Sequence, residues 1–111
     1  MRLFGERRIV RSGKKGRVLS SHIVPLSGEY DVWRREELRK ELDAVVPSEE
    51  LIIDLRRTEF MDAGAVGLLV GLAKRVRRVY PSARIVLRDT PPIVRRVLRI
   101  TRTDKIFDFT P

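Results

Sequence analysis

Leu51-Ile52-Ile53-Asp54-Leu55, followed after a polar stretch by Phe60-Met61-Asp62-Ala63-Gly64-Ala65-Val66-Gly67-Leu68-Leu69-Val70-Gly71-Leu72-Ala73-Lys74-Arg75, carries two different periodicities in succession. The first five residues form a short, nearly continuous apolar run, the signature of a strand covered on both faces. Arg56 to Glu59 then reads as a polar loop. From Ala63 the period changes: Val66, Leu69, Ala73, Val76 and Tyr80 fall on one face of a helix that Pro81 must end. Asp62 stands where an N-cap belongs, because its carboxylate can accept the free N–H groups of a first helical turn.

Working outward, Ile85-Val86-Leu87 gives a second buried strand. Thr90 followed by Pro91 reads as a helix start with proline at the first helical position, where its missing N–H costs nothing. Ile93, Val97 and Ile100 are the expected inner face of that helix, and Ile106 to Phe109 the last strand. Upstream, Leu38, Leu42 and Val45 recur at i, i+4 and i+7 and predict an amphipathic helix from about Arg34 to Val46, closed by Pro47. Glu36–Lys40 and Arg39–Asp43 are candidate i,i+4 ion pairs on its outer side. Arg7 to Arg11 and Arg17 to Leu26 read as two strands joined by a turn at Gly13-Lys14-Lys15-Gly16. Two strands, then helix and strand three times over, imply an α/β fold: a mixed sheet with parallel core strands joined by right-handed helical crossovers, and about three helices.

The chain has 111 residues, enough for one domain with its own core, and 42% of them are hydrophobic. No cysteine is present, which excludes disulfide scaffolds, thiol catalysis and cysteine-ligated zinc. The sequence shows neither a signal peptide near Met1 nor an apolar run of membrane-spanning length, so a soluble cytoplasmic protein is expected. Lys plus Arg number 24 against 15 Asp plus Glu, for a formal net charge of +9. Such a surplus suits nucleic acid, an anionic surface or an acidic partner. The densest basic stretches, Lys74 to Arg78 and Arg95 to Arg99, are interrupted by apolar residues at helical spacing. They read first as solvated faces of amphipathic helices.

No catalytic constellation emerges, and neither a cofactor nor a metal is expected. The single histidine, His22, sits in a predicted strand beside Ser20 and Ser21, and neighbouring strand residues point to opposite faces. Gly64, Gly67 and Gly71 are not followed by the Gly-Lys-Ser/Thr of a phosphate-binding loop. At i, i+3 and i+7 they form a stripe along one helix, each costing about 0.8–1 kcal/mol against alanine. Either the helix packs tightly on the sheet there, or the stripe is an open groove for another protein. The two readings can also divide it, with Gly64 at the open end and Gly71 inside.

The segment from Leu51 to Arg75 resembles the core motif of STAS domains, the anti-sigma-factor antagonists of bacteria and their relatives. Val24-Pro25-Leu26-Ser27-Gly28-Glu29-Tyr30-Asp31 resembles that family's strand ending in Gly-Glu-(apolar)-Asp. Ile85 to Arg88, Thr90 to Leu98 and Ile106 to Phe109 resemble its strand, loop-helix and following strand, so that the match runs from about residue 17 to 110. The family's last helix has no counterpart before Pro111. The resemblance makes residues 1–111 a single STAS domain, with 1–16 a basic N-terminal segment able to form an edge strand.

What the resemblance implies is a protein-binding module with no catalytic residue and no small-molecule or membrane partner. A typical member binds an anti-sigma factor that is also a serine kinase, and so promotes sigma-factor-dependent transcription. Phosphorylation of a serine at the start of the helix after Phe-Met-Asp then releases it. The partner surface carried over comprises Gly28, Glu29, Asp31, Asp62, Ala63, Gly64, Ala65 and Gly67. The family's segment reads Asp-Ser-Ser-Gly, with the second serine as acceptor; here Asp62-Ala63-Gly64-Ala65 puts Gly64 at that position and no hydroxyl beside it. Thr58, in the preceding loop, is the nearest alternative. The alternatives to an antagonist are a basic nucleic-acid-binding protein using Lys74–Arg78 and Arg95–Arg99, or a scaffold STAS subunit of a larger signalling assembly.

Overall fold

A computed structural model describes residues 6–11 and 18–111 of the chain. Strands β1 (Glu6–Arg11), β2 (Val18–Tyr30), β3 (Glu50–Met61), β4 (Arg84–Arg88) and β5 (Asp108–Thr110) form one sheet in sequential order. β1 runs antiparallel to β2, and every later neighbour is parallel. The connections between parallel strands are helices α1 (Arg35–Asp43), α2 (Ala63–Val79) and α3 (Pro92–Ile100). The expected turn at residues 13–16 lies outside the described residues. This is the anticipated mixed sheet with a parallel core.

The strand pattern sorts the two faces of the sheet. Leu51, Ile53 and Leu55 of β3 and Ile85 and Leu87 of β4 join Val24 and Leu26 of β2 in one cluster with Leu38, Leu42, Val66, Leu69, Val94 and Leu98 from the helices. Ile52 and Val86, which alternate with them, are buried on the opposite face. α2 lies between α1 and α3 and touches both. His22 is a buried residue of β2.

Four expectations need correction. Arg56 to Glu59 is not a loop: β3 continues to Met61 because its second half pairs with Ser27 to Tyr30 of β2, past register shifts at Pro25/Ser27 and Gly28/Glu29. The paired backbone outweighs the polar side chains, and Thr58 therefore lies buried within a strand. The inner face of α3 is Val94 and Leu98, while Ile93 and Ile100 are 48% and 70% exposed. The helix begins at Pro92, with Pro91 as its cap, one residue later than expected, and the apolar stripe is correspondingly rotated by one position. A 3-10 turn at Asp104–Ile106 delays the last strand to Asp108–Thr110. Helix α1 ends at Asp43 and is preceded by a 3-10 turn at Val32–Arg34. Its surface pairs form at i,i+3, Arg34–Glu37 at 2.6 Å and Glu36–Arg39 at 3.4 Å, rather than at i,i+4.

The rotated face of α3 has a measurable consequence. Leu98→Ala should cost about 2–5 kcal/mol in urea unfolding, as a fully buried leucine does. Ile100→Ala should stay within about 0.5 kcal/mol of wild type. Equal losses would restore Ile100 to the core.

Candidate functional site

The ends of β2 and β3 meet at one place. Tyr30 pairs with Met61, and the Asp62 N–H donates to the Tyr30 carbonyl at 3.1 Å. This places Asp31 near Asp62 at the start of α2, with Glu29 opposite Phe60 and Gly28 opposite Thr58 further back along the strands. The carboxylate of Asp62 performs the expected capping, with Oδ1 accepting from the Ala65 N–H at 2.8 Å. Its other oxygen, Oδ2, accepts from Arg35 Nη2 at 2.6 Å. Both partners of that ion pair are roughly a quarter to a third exposed, which limits its worth in stability but not its geometry.

Arg35, the first residue of α1, thereby lies directly over Gly64. A Cβ built on Gly64 would collide with its guanidinium. Gly67 and Gly71 are the opposite: a Cβ at either would meet nothing within 4 Å. Gly71, expected inside, is thus exposed and open, while Gly64 is exposed as expected but has the space for a side chain filled by Arg35. Ala65, carried over as a surface residue, is 1% exposed and supports the surface from beneath.

The Gly28–Asp31 segment is held by Arg34. Its Nη1 donates to the carbonyls of Ser27 and Glu29, at 2.8 and 3.2 Å, on either side of Gly28. Gly28 has φ +86, a conformation few other residues adopt, and a Cβ there would approach Arg34 at 2.8 Å. The guanidinium lies 4.2 Å from the centre of the Tyr30 ring and pairs with Glu37. Its hydrogen bond to Glu37 raises the Arg34 pKa and lowers that of the carboxylate. Burial raises the pKa of Tyr30, whose hydroxyl accepts from the Ser27 N–H, and likewise that of Glu41. Asp31 caps the 3-10 turn by accepting from the Trp33 N–H at 3.0 Å.

That turn presents what sequence reasoning missed. Val32 is 66% exposed and Trp33, the one tryptophan, 88%. Their position directly after the Gly-Glu-Tyr-Asp stretch was the available signal. Arg35 was missed as well, since nothing in its spacing points across 27 residues to Asp62. Thr58 is 3% exposed and its hydroxyl makes no hydrogen bond, so it is not presented to a kinase.

The family model described as "Mlab, STAS domain" matches residues 15–108. The chain belongs to the STAS family. An anti-sigma F factor antagonist of Paenibacillus polymyxa is 28% identical over 87 residues, covering 76% of this chain and 73% of that protein. A STAS-domain containing protein of Pseudomonas aeruginosa is 26% identical over 85 residues, covering 76% and 82%. An anti-sigma factor antagonist structure from Mycobacterium paratuberculosis superposes with a TM-score of 0.71 at 23% identity, covering 96% of this chain and 86% of that one. Unphosphorylated SpoIIAA, another such antagonist, gives 0.64 at 22% identity, covering 96% and 89%. These structures establish the shared fold. Among the described residues of this STAS domain, no helix is long and apolar enough to cross a membrane.

The three glycines of α2 should respond differently to one methyl group. Gly67→Ala and Gly71→Ala should each raise stability by about 0.5–1 kcal/mol, because helix propensity improves and nothing is in the way. Gly64→Ala should gain less or lose stability, because Arg35 must leave Asp62. Unfolding midpoints of the three variants, each also made in Arg35→Ala, test this; the double variant at 64 should recover the ordinary alanine gain.

Proposed function

We propose that this STAS domain is an anti-sigma-factor-antagonist-like binding module rather than an enzyme. It would sequester an anti-sigma factor of the serine-kinase kind and so promote sigma-factor-dependent transcription. The reading is supported by the family, by the antagonist relative, and above all by the exposure of Ala63, Gly64 and Gly67 on α2 and of Val32 and Trp33 on the turn that leads into α1, whose first residue Arg35 pairs with Asp62. A tryptophan held out by a capped turn suits the anchor of a protein interface, and side chains as small as those at the start of α2 do not obstruct a partner. Gly28, Glu29, Asp31 and Asp62 border the same surface.

The test is capture of the anti-sigma factor by purified protein, followed by titration of the isolated pair. Gly64→Glu adds bulk and charge at the centre of the surface and should weaken binding at least about 100-fold; Trp33→Ala should weaken it at least about tenfold. Wild-type affinity in both variants would remove the surface from consideration. A nucleic-acid binder would instead capture DNA or RNA, with an affinity that collapses steeply as salt is raised.

Regulation would differ from that of a phosphorylated antagonist. The acceptor position is Gly64, and the guanidinium of Arg35 fills the space a side chain there would need. Phosphoryl transfer demands an attacking oxygen placed in line, and a displacement of about 1 Å can cost on the order of 100-fold in rate. With the partner kinase, ATP and Mg²⁺, intact mass should show no phosphate on wild type. Gly64→Ser combined with Arg35→Ala should be phosphorylated faster than Gly64→Ser alone. Phosphate on the wild-type chain would overturn this account.

A further inference from the structure

We infer that the groove between α1 and α2 seats an acidic amphipathic helix of a partner protein. The inference rests on the protein-binding reading above and adds a second contact, of stated chemistry, further along α2. The groove encloses about 260 Å³ between Arg39 and Asp43 of α1 and Gly67, Leu68, Gly71 and Arg78 of α2. Three observations independent of one another select its occupant.

The groove is open and preformed. Glycines inside a helix cost stability, and close packing against the rest of the protein is the usual reason to keep them. Here the space above Gly67 and Gly71 is empty, so the fold itself gains no close approach from either. The separation of the two helices is fixed by Arg75, whose guanidinium donates to the carbonyls of Leu42 at 2.8 Å and Val45 at 3.1 Å at the end of α1. The depth at Gly67 and Gly71 is therefore available to something outside the chain.

The rim is basic. Arg78 and Lys74, on the same face of α2 as the glycines, have no acidic partner among the described residues. Arg39 has only the 3.4 Å contact to exposed Glu36, and Asp43 is the single acid in the groove. Charge complementarity calls for carboxylates opposite these bases.

The lining fits a helix better than a nucleic acid. It offers Leu68 beside the backbone of two glycines and no aromatic ring for base stacking. An amphipathic helix places apolar residues at i, i+3, i+4 and i+7 into such a trough and its charged flanks against the rim. Nine residues of α1 set a length of about 14 Å, room for two to three turns.

The experiment uses fluorescence anisotropy with three labelled probes on the full chain. One is a synthetic peptide of about five helical turns, leucine on one stripe and glutamate on the flanks; the second has every glutamate replaced by lysine; the third is a short duplex DNA. Wild type should bind the glutamate peptide at least about tenfold tighter than the lysine peptide. Gly71→Leu, which fills the groove without changing any charge, should weaken that binding at least about tenfold while its unfolding midpoint stays at or above wild type. Arg78→Glu gives an independent variant should Gly71→Leu fold poorly, and should weaken binding comparably. Amide shifts on peptide addition should centre on Gly67, Gly71 and Arg39. Unchanged binding by both variants, shifts elsewhere, no peptide binding at all, or DNA displacing the peptide would each overturn the groove. Loss of peptide binding in Gly64→Glu alone would overturn the groove and keep the helix-start surface, and capture of the anti-sigma factor, read separately through Gly64→Glu, stands or falls without it.

Discussion

The part of the candidate surface at the start of α2 depends on the bonds of Asp62. Its N–H closes the end of β3 onto Tyr30 of β2, one carboxylate oxygen caps α2, and the other holds Arg35. A cap of this type contributes about 1 kcal/mol, and a negative charge at a helix start is favoured by the helix dipole. The larger effect is positional. With one oxygen committed to the helix, the other has a fixed direction, and the guanidinium it binds is fixed over Gly64. Strand end, helix start and the guanidinium over the acceptor position are set by a single residue.

The same residue type does three different things along this chain. Gly28 is required by a positive φ and by the nearness of Arg34. Gly64 is required by the guanidinium above it, and its φ is unexceptional. Gly67 and Gly71 are required by nothing within the described fold. Only above the last pair is the space for a side chain empty, and that pair lies toward the basic end of α2.

The surplus of positive charge has a structural explanation in part. Arg34 bonds the Ser27 and Glu29 carbonyls, Arg75 those of Leu42 and Val45, and Arg95 lies 4.2 Å from the centre of the Phe109 ring. A guanidinium that bonds carbonyls or covers a ring does its work without an acidic partner, so a basic balance accumulates as the fold is stitched together. Net charge alone left nucleic acid, an anionic surface and an acidic partner equally open. The positions of the arginines assign several of them to the fold and leave Lys74 and Arg78 on the surface.

Periodicity alone determined the order of the elements, the parallel core at Leu51–Leu55 and Ile85–Leu87, the α2 face of Val66, Leu69, Ala73 and Val76, and the cap at Asp62. These are local properties, written in the spacing of apolar residues and in the chemistry of one carboxylate. Gly64 in place of a hydroxyl was equally legible, because it needed only a comparison of residue types. The tertiary structure decided the rest. The polar half of β3 becomes a strand only because β2 lies beside it, and α3 turns Val94 and Leu98 inward only because of where the sheet and α2 stand. Arg35 reaches Asp62 across 27 residues, and Gly67 and Gly71 face open space, for the same reason. Pairing partners, the rotation of a helix by one position and the occupancy of space above a glycine are relations between distant segments, and no local pattern of side chains encodes them.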